Sequence, residues 1–261
     1  MDIVIPTYGR AHNQVTYGTL MAHGFHPILV VQAREAHLFA GRNHVTVLPP
    51  SITTIAPTRQ YILEYIGTHN ELVMMDDDLW FYKRRKDDPS KFAEMEEQDY
   101  VNMMADIDEG LGKYTHVGIA SREGGNRNTA EFCYNTRIMR VLGYQRDALL
   151  KLDRRFDEME VMEDFHMALT LLERGFENVV LNNWCHNQAG SGKAGGCSHF
   201  RTAEVQTRNA HRLSELHPGV VNVVRKATKS AWGGGERTDV RVLWKKALNA
   251  RRPSEASSFL D

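Results

Sequence analysis

Three adjacent carboxylates, Asp76, Asp77 and Asp78, follow the apolar run Glu71–Met75. Neighbouring carboxylates repel one another unless a cation neutralises them. Alternate residues on an extended chain point the same way, so Asp76 and Asp78 can share one site while Asp77 points elsewhere. Their oxygens are hard ligands suited to Mg²⁺ or Mn²⁺, ions that substrate phosphates also hold. The alternative is an exposed acidic turn, and the preceding strand argues against it by fixing the position. A second acidic pair, Glu163-Asp164, stands at the start of the segment Met162–Arg174. Acids there cap helices and suit the positive end of the dipole. Beside the first cluster they are also candidates for proton transfer.

A third group is Cys185-His186, followed by the glycine-rich stretch Gly190–Gly196 with Lys193 inside it. Glycines let backbone approach a phosphate closely, and Lys193 adds a point charge. The stretch lacks the GxxxxGK[ST] spacing of a nucleotide-binding P-loop. Zinc held by Cys185, His186, Cys197 and His199 is conceivable, but an adjacent Cys-His pair is poor ligand spacing. His186 as a partner of Mg²⁺ or Mn²⁺ is the preferred reading, with a buried structural histidine as the alternative. Two lesser features are Pro6-Thr7-Tyr8-Gly9-Arg10, where a base and ribose can dock, and Thr58-Arg59, where an arginine can meet a diphosphate. Either can equally be a turn and a surface charge.

The elements that position these residues read as an α/β fold. Asp2–Pro6, His26–Gln32, Thr46–Leu48, Glu71–Met75, His116–Ala120 and Val179–Leu181 are strand-like. Helical patterns cover 12–23, the segment after Pro57, part of 87–109, Thr136–Leu142 and Met162–Arg174, the last stopped by Gly175. Strands alternating with helices predict a mixed, mostly parallel central sheet with helices on both faces. In such sheets ligands bind outside the carboxyl ends of the strands, where Asp76–Asp78 lie. The tail after Gly196 reads as helical and increasingly basic. The expected organisation is one domain over 1–205 and a helical basic extension over 206–261, with its last residues flexible.

At 261 residues and 42% hydrophobic content the chain can bury a full core without staples. Three cysteines do not make a disulfide framework, so a reducing cytoplasm is expected. No run of about 18 apolar residues is present, which predicts no membrane span. The N-terminus reads as a strand rather than a signal peptide. The net charge of −1 hides two opposed segments. Residues 87–109 carry nine acids against Lys91 alone, and 222–252 carry nine bases against Glu236 and Asp239. A basic run of this kind is either a solvated face or a footprint for an anionic polymer.

Taken together, these motifs resemble glycosyltransferases of the GT-A fold. That resemblance assigns Pro6, Thr7, Tyr8 and Arg10 to the nucleotide, Asp76 and Asp78 to a DxD metal site, Asp76 and Asp77 to binding of the sugar nucleotide, His186 to the metal, and Glu163-Asp164 to the acceptor side, with Asp164 as base. The narrower resemblance, carried by DIVIPTYGR, MMDDD, MEDFHMALTLLERG and CHNQAGSGKAGGCS, is to the TET-associated glycosyltransferases of bacteriophages. It implies a UDP-sugar donor with Mn²⁺ or Mg²⁺, and an acceptor hydroxymethyl group on 5-hydroxymethylcytosine or a related pyrimidine in phage DNA. Arg10, Arg59 and Lys193 are then candidates for the diphosphate. The basic tail and the surface near Gly124–Arg127 are candidates for DNA phosphates, and Tyr134, Trp184 and Trp232 for stacking. A single base and no nucleophile implies inversion. Competing readings are a saccharide or protein acceptor, a nucleotidyltransferase, and a non-catalytic DNA-binding module. The second lacks a glycine-rich loop after the first strand, and the third leaves the carboxylates without a purpose.

Overall fold

The computed structural model describes residues 1–125, 127–188, 201–227 and 235–250. The strands are β1 Asp2–Thr7, β2 Ile28–Val31, β3 Val45–Val47, β4 Glu71–Met75, β5 Leu79–Arg84, β6 Phe92–Glu94, β7 His116–Ser121, β8 Phe132–Tyr134, β9 Val141–Gln145, β10 Asn178–Gln188, β11 Val221–Ala227 and β12 Glu236–Val242. The helices are α1 Val15–Ala22, α2 Ile55–Tyr61, α3 Glu97–Leu111, the kinked turn α4 Arg122–Gly125, α5 Arg146–Leu150, α6 Glu163–Glu173, α7 Ala203–Leu216 and α8 Trp244–Asn249. Ten strands form one sheet in the order β3-β2-β1-β4-β9-β7-β10-β5-β6, with β8 also on β10. β3, β2, β1 and β4 run parallel; β9 is antiparallel between β4 and β7; β10 is parallel to β7. The sheet is therefore mixed and mostly parallel, as the alternating pattern predicts.

Period-two burial divides the core into two layers. Ile3, Ile5, Val73 and Met75 face α1 and α3, packing with Leu20, Met103 and Ile107. Val4, Leu72 and Met74 face the opposite way, with Ile62, Leu63, Met167 and Leu171. A third cluster joins Leu169 and Leu172 of α6 to Leu213 and Leu216 of α7, to Val221 and Val240 of the hairpin, and to Ala247 of α8. The C-terminal extension is thus packed on the helix that begins with Glu163-Asp164. His166 and His217 meet in that seam, Nδ1 to Nε2 at 2.8 Å. His166 Nε2 lies 3.1 Å from Glu158, and His217 Nδ1 lies 3.0 Å from Glu173.

Two sequence expectations change. Thr136–Leu142 is not a helix: Val141 and Leu142 belong to β9, and Gly143 is mid-strand rather than a cap. A side chain at Gly143 would come within 3.0 Å of the Val117 carbonyl, so the glycine permits the close β7–β9 approach. Among its described residues the extension is helical only at α7 and α8. Between them β11 and β12 pair from Val221↔Val242 to Ala227↔Glu236. The basic residues concealed its period-two pattern of valines. α7 also runs across positions 205 and 206.

Three buried histidines are held neutral. Burial pushes His116 and His166 down to about 4 and His186 to about 3, from an ordinary 6.5. The unfolded chain takes up these protons near pH 6.5 and the folded chain does not. The stabilisation present above pH 6.5 is therefore lost as pH falls toward 4, on the order of 2–3 kcal/mol per histidine. The carboxylates whose affinities are raised, described below, act in the opposite sense. Urea titrations between pH 7 and 4 should show falling stability, with a shallower slope in His116→Phe, which keeps the stack on Tyr144 (ring centroids 4.2 Å apart). A flat profile would contradict the assignment.

Candidate active site

β4 alternates sides up to Met75, and Asp76 continues that alternation onto the α2–α6 face. There Arg59, from α2, donates to Asp76 Oδ1 at 3.0 Å and to Glu163 Oε1, at the head of α6, at 2.7 Å. The guanidinium is buried, with 6% of the side chain exposed. It is therefore committed to two carboxylates 87 positions apart in the chain, where the sequence suggested an arginine open to a diphosphate. The chain turns at Asp77, so alternation ends. Asp77 and Asp78 both lie on Arg10, at 2.5 and 3.1 Å, and Thr7 Oγ1 donates to Asp77 at 2.5 Å. Gln14 donates in turn to Thr7 Oγ1 and to the Arg10 carbonyl. Pro6-Thr7-Tyr8-Gly9-Arg10 thus meets the acidic turn directly, and Tyr8 carries the Arg34 guanidinium over its ring at 4.4 Å.

Burial raises the proton affinity of Asp76, Asp77, Asp78 and Glu163, while Arg59 and Arg10 pull it down and the neighbouring carboxylates push it up. The Asp76 side chain is 29% exposed, against 5% for Asp77, so of these two it is Asp76 that meets solvent. Asp164 lies close enough for its charge to act on Asp76 and Arg59, and the Arg137 guanidinium is 3.6 Å from it. The Asp164 side chain is 16% exposed.

Two backbone outliers fix this geometry. Met162, just before Glu163, has φ 66°, and Arg140, just before β9, has φ 66°. Non-glycine residues adopt that region at a cost of roughly 1–3 kcal/mol and persist there only when their surroundings require it. The Arg140 carbonyl accepts from the Asp76 amide at 2.9 Å, and its side chain reaches Ser121 Oγ. Arg140 also acts electrostatically on Asp76, Asp78 and His186.

Sequence reasoning did not single out Arg137, Arg140 or Thr16. Buried Thr16 donates to the Asp76 carbonyl at 2.6 Å and accepts from the Leu79 amide at 2.9 Å, stapling α1 to the turn. Nothing in its local sequence marks it, because the contact is made 60 residues away. Thr16→Val should cost about 1–3 kcal/mol in urea denaturation, since two buried groups lose a partner; no change would remove the staple.

His186 is buried on β10, and neither ring nitrogen has a well-formed partner among the described residues, the Met139 backbone adding only a weak interaction. Among the described residues no three His, Cys, Asp or Glu side chains converge as a ligand set. Asp76, Asp78 and His186 have Arg140 as their common neighbour instead. Cys185 is buried and its thiol is pushed up to about 12 by burial. Lys193, Cys197, His199 and Trp232 lie outside the described residues. Trp184 is not a stacking platform: it is buried and donates to Asp106 at 2.6 Å. Tyr134 is 46% exposed.

The family model for TET-Associated Glycosyltransferase matches residues 1–196, which span Asp76, Asp77, Asp78, Glu163 and Asp164. The chain belongs to the TET-associated glycosyltransferases. A solved structure agrees in fold. This glycosyltransferase is similar to the mannosyltransferase PcManGT from Pyrobaculum calidifontis, solved with GDP-Man and Mn²⁺: TM-score 0.54, 13% identity, 82% of this chain and 62% of that one. The glycosyltransferase therefore spans less than two thirds of its neighbour's length. The galactosyltransferase LgtC, solved with donor and acceptor sugar analogues, matches at TM-score 0.35 and 14% identity over 59% of this chain and 60% of that one. No curated protein matches the sequence. Among its described residues the glycosyltransferase has no helix long and apolar enough to cross a membrane.

Proposed function

We propose that this glycosyltransferase moves a sugar from a UDP-sugar to the hydroxymethyl group of 5-hydroxymethylcytosine, or a related 5-hydroxymethylpyrimidine, in phage DNA, with inversion at the anomeric carbon. The observation that carries the reading is that Arg59 bridges Asp76 to Glu163, the residue next to Asp164, and so brings the two carboxylate groups together, with Arg137 3.6 Å from Asp164. A donor-side carboxylate and an acceptor-side carboxylate are the two requirements of such a transfer. Asp164 accepts the proton of the acceptor hydroxyl as that oxygen attacks. Glu163, tied to Arg59, fixes the start of α6 and so the direction of Asp164. Thr7, Tyr8 and Arg10 stand where a nucleotide meets the end of β1, with Lys193 as a further phosphate contact.

Asp76 and Asp78 offer hard oxygens of the kind Mn²⁺ or Mg²⁺ takes, and His186 an imidazole without a well-formed hydrogen bond, but the three do not converge, so holding the ion together would require them to draw in. When bound, the ion would supply Lewis-acid stabilisation of the departing diphosphate. The ion pairs of Asp76 with Arg59 and of Asp78 with Arg10 are then partly exchanged. A sugar-nucleotide donor and a DNA acceptor would place the reaction in the host cytoplasm.

The test is a panel of UDP-sugars with Mn²⁺ and two duplexes, one carrying 5-hydroxymethylcytosine and one only cytosine, read by nucleoside mass spectrometry. A hexose-sized gain on the modified nucleoside alone supports the proposal and names the sugar. UDP release without DNA modification would move the acceptor to a saccharide or protein. A product with retained anomeric configuration would remove Asp164 as sole base.

A further inference from the structure

We propose that Trp244, in the C-terminal extension, is a positioning residue for Asp164, acting through Phe165 and Arg137. This rests on the reading of Asp164 as the base. Asp164 stands in the first turn of α6. Among the described residues one side chain comes within ion-pair distance of its carboxylate, the Arg137 guanidinium at 3.6 Å, and no hydrogen bond from another described residue fixes it. The direction of the carboxylate therefore depends on where that guanidinium is held.

Arg137 lies in the stretch between β8 and β9, and no other described residue gives it an ion pair or a side-chain hydrogen bond. What it does have is an aromatic ring. Its guanidinium carbon sits 4.0 Å from the centroid of Phe165. A cation is drawn to the negative face of such a ring, and a flat guanidinium packs well on it. Phe165 directly follows Asp164, so a single guanidinium spans the side chains of two consecutive residues of α6.

Phe165 in turn stacks on Trp244, the first residue of α8, with ring centroids 5.7 Å apart and planes 28° apart. α8 is anchored independently of that stack. Ala247 is fully buried in the cluster that joins α6, α7 and the hairpin, and the Leu243 amide donates to the Val220 carbonyl at 2.8 Å. Phe165 and Trp244 lie partly buried at the margin of the same cluster. The chain of contact thus runs from Trp244 to Phe165, to Arg137, to Asp164. Trp244 is 80 positions from Asp164 and carries no group suited to accept the proton. Its effect is on direction: without its ring Phe165 gains rotamers, the guanidinium loses its platform, and the carboxylate loses its partner. A misplacement of about 1 Å at a reacting group costs on the order of a hundredfold in rate.

The experiment uses the full chain, the UDP-sugar identified by the panel above with Mn²⁺, and an oligonucleotide carrying one 5-hydroxymethylcytosine, followed as single-turnover sugar transfer. Trp244→Leu should slow transfer about tenfold or more while the Kd for UDP stays within about twofold of the parent. Trp244→Phe, which keeps an aromatic face against Phe165, should recover most of the loss. In an Asp164→Asn background Trp244→Leu should slow transfer no further, because a residue that acts through the base then has nothing to act on. An equal loss in both backgrounds would overturn the proposal, as would unchanged transfer in Trp244→Leu. A parallel loss of UDP binding would also overturn it, by showing a general defect. If the parent chain transfers no sugar to the oligonucleotide, the acceptor reading fails first and the positioning role falls with it.

Discussion

Asp164→Asn is expected to turn over at least about a hundredfold more slowly than the parent while binding the sugar nucleotide equally well. General-base assistance contributes about 10²–10⁴ in rate, or roughly 3–5 kcal/mol. The substitution is nearly isosteric and keeps α6 intact, because the buried contact at the start of that helix belongs to Glu163 and Arg59. The loss should therefore appear in kcat and in kcat/KM for the acceptor, with the donor KM unchanged. Single-turnover kinetics with a saturating donor separates the two. Near-normal turnover would remove Asp164 from the base role.

The second large effect is on stability. Arg59→Met should cost about 3–5 kcal/mol, the usual result of breaking a buried ion pair from one side. Glu163 and Asp76 would each keep a desolvated carboxylate without its cation, while methionine preserves most of the volume. Adding Glu163→Gln should restore part of the loss, since the remaining buried charge is then removed. Urea denaturation at pH 7 checks both. A single variant within about 1 kcal/mol of the parent would mean that solvent, not Arg59, compensates these groups.

Both predictions concern residues whose types were visible in the sequence, but only one of the two environments was. Glu71–Met75 was readable to the residue because an apolar run bounded by charges has few other readings, and α6 because its spacing is helical and ends at glycine. Arg59 read as an arginine that meets a diphosphate at a helix start, with a surface charge as the alternative. Which face of α2 turns inward depends on α6, over 100 positions later, and no local pattern records it. The acidic turn shows the same limit: alternation describes a strand, so it paired Asp76 with Asp78 and set Asp77 apart, and it fails where the backbone turns and Asp77 and Asp78 both meet Arg10. Thr136–Leu142 misled because Ile138, Val141 and Leu142 fit a helical spacing as well as a strand entry. The hairpin in the extension was hidden by its charge. Arg137 and Arg140 act only through partners brought together by the sheet.

The seam of Glu158, His166, His217 and Glu173 has a consequence for proton bookkeeping. Three contacts run through four side chains, and each needs one hydrogen between its heavy atoms. Burial and His217 lower the proton affinity of His166, which lies between His217 on one side and Glu158 on the other. These hydrogens lie under the extension and meet water only when it lifts from α6. Their exchange with deuterium, followed on nitrogen-labelled histidine, is therefore a clock for how often the extension lifts from α6.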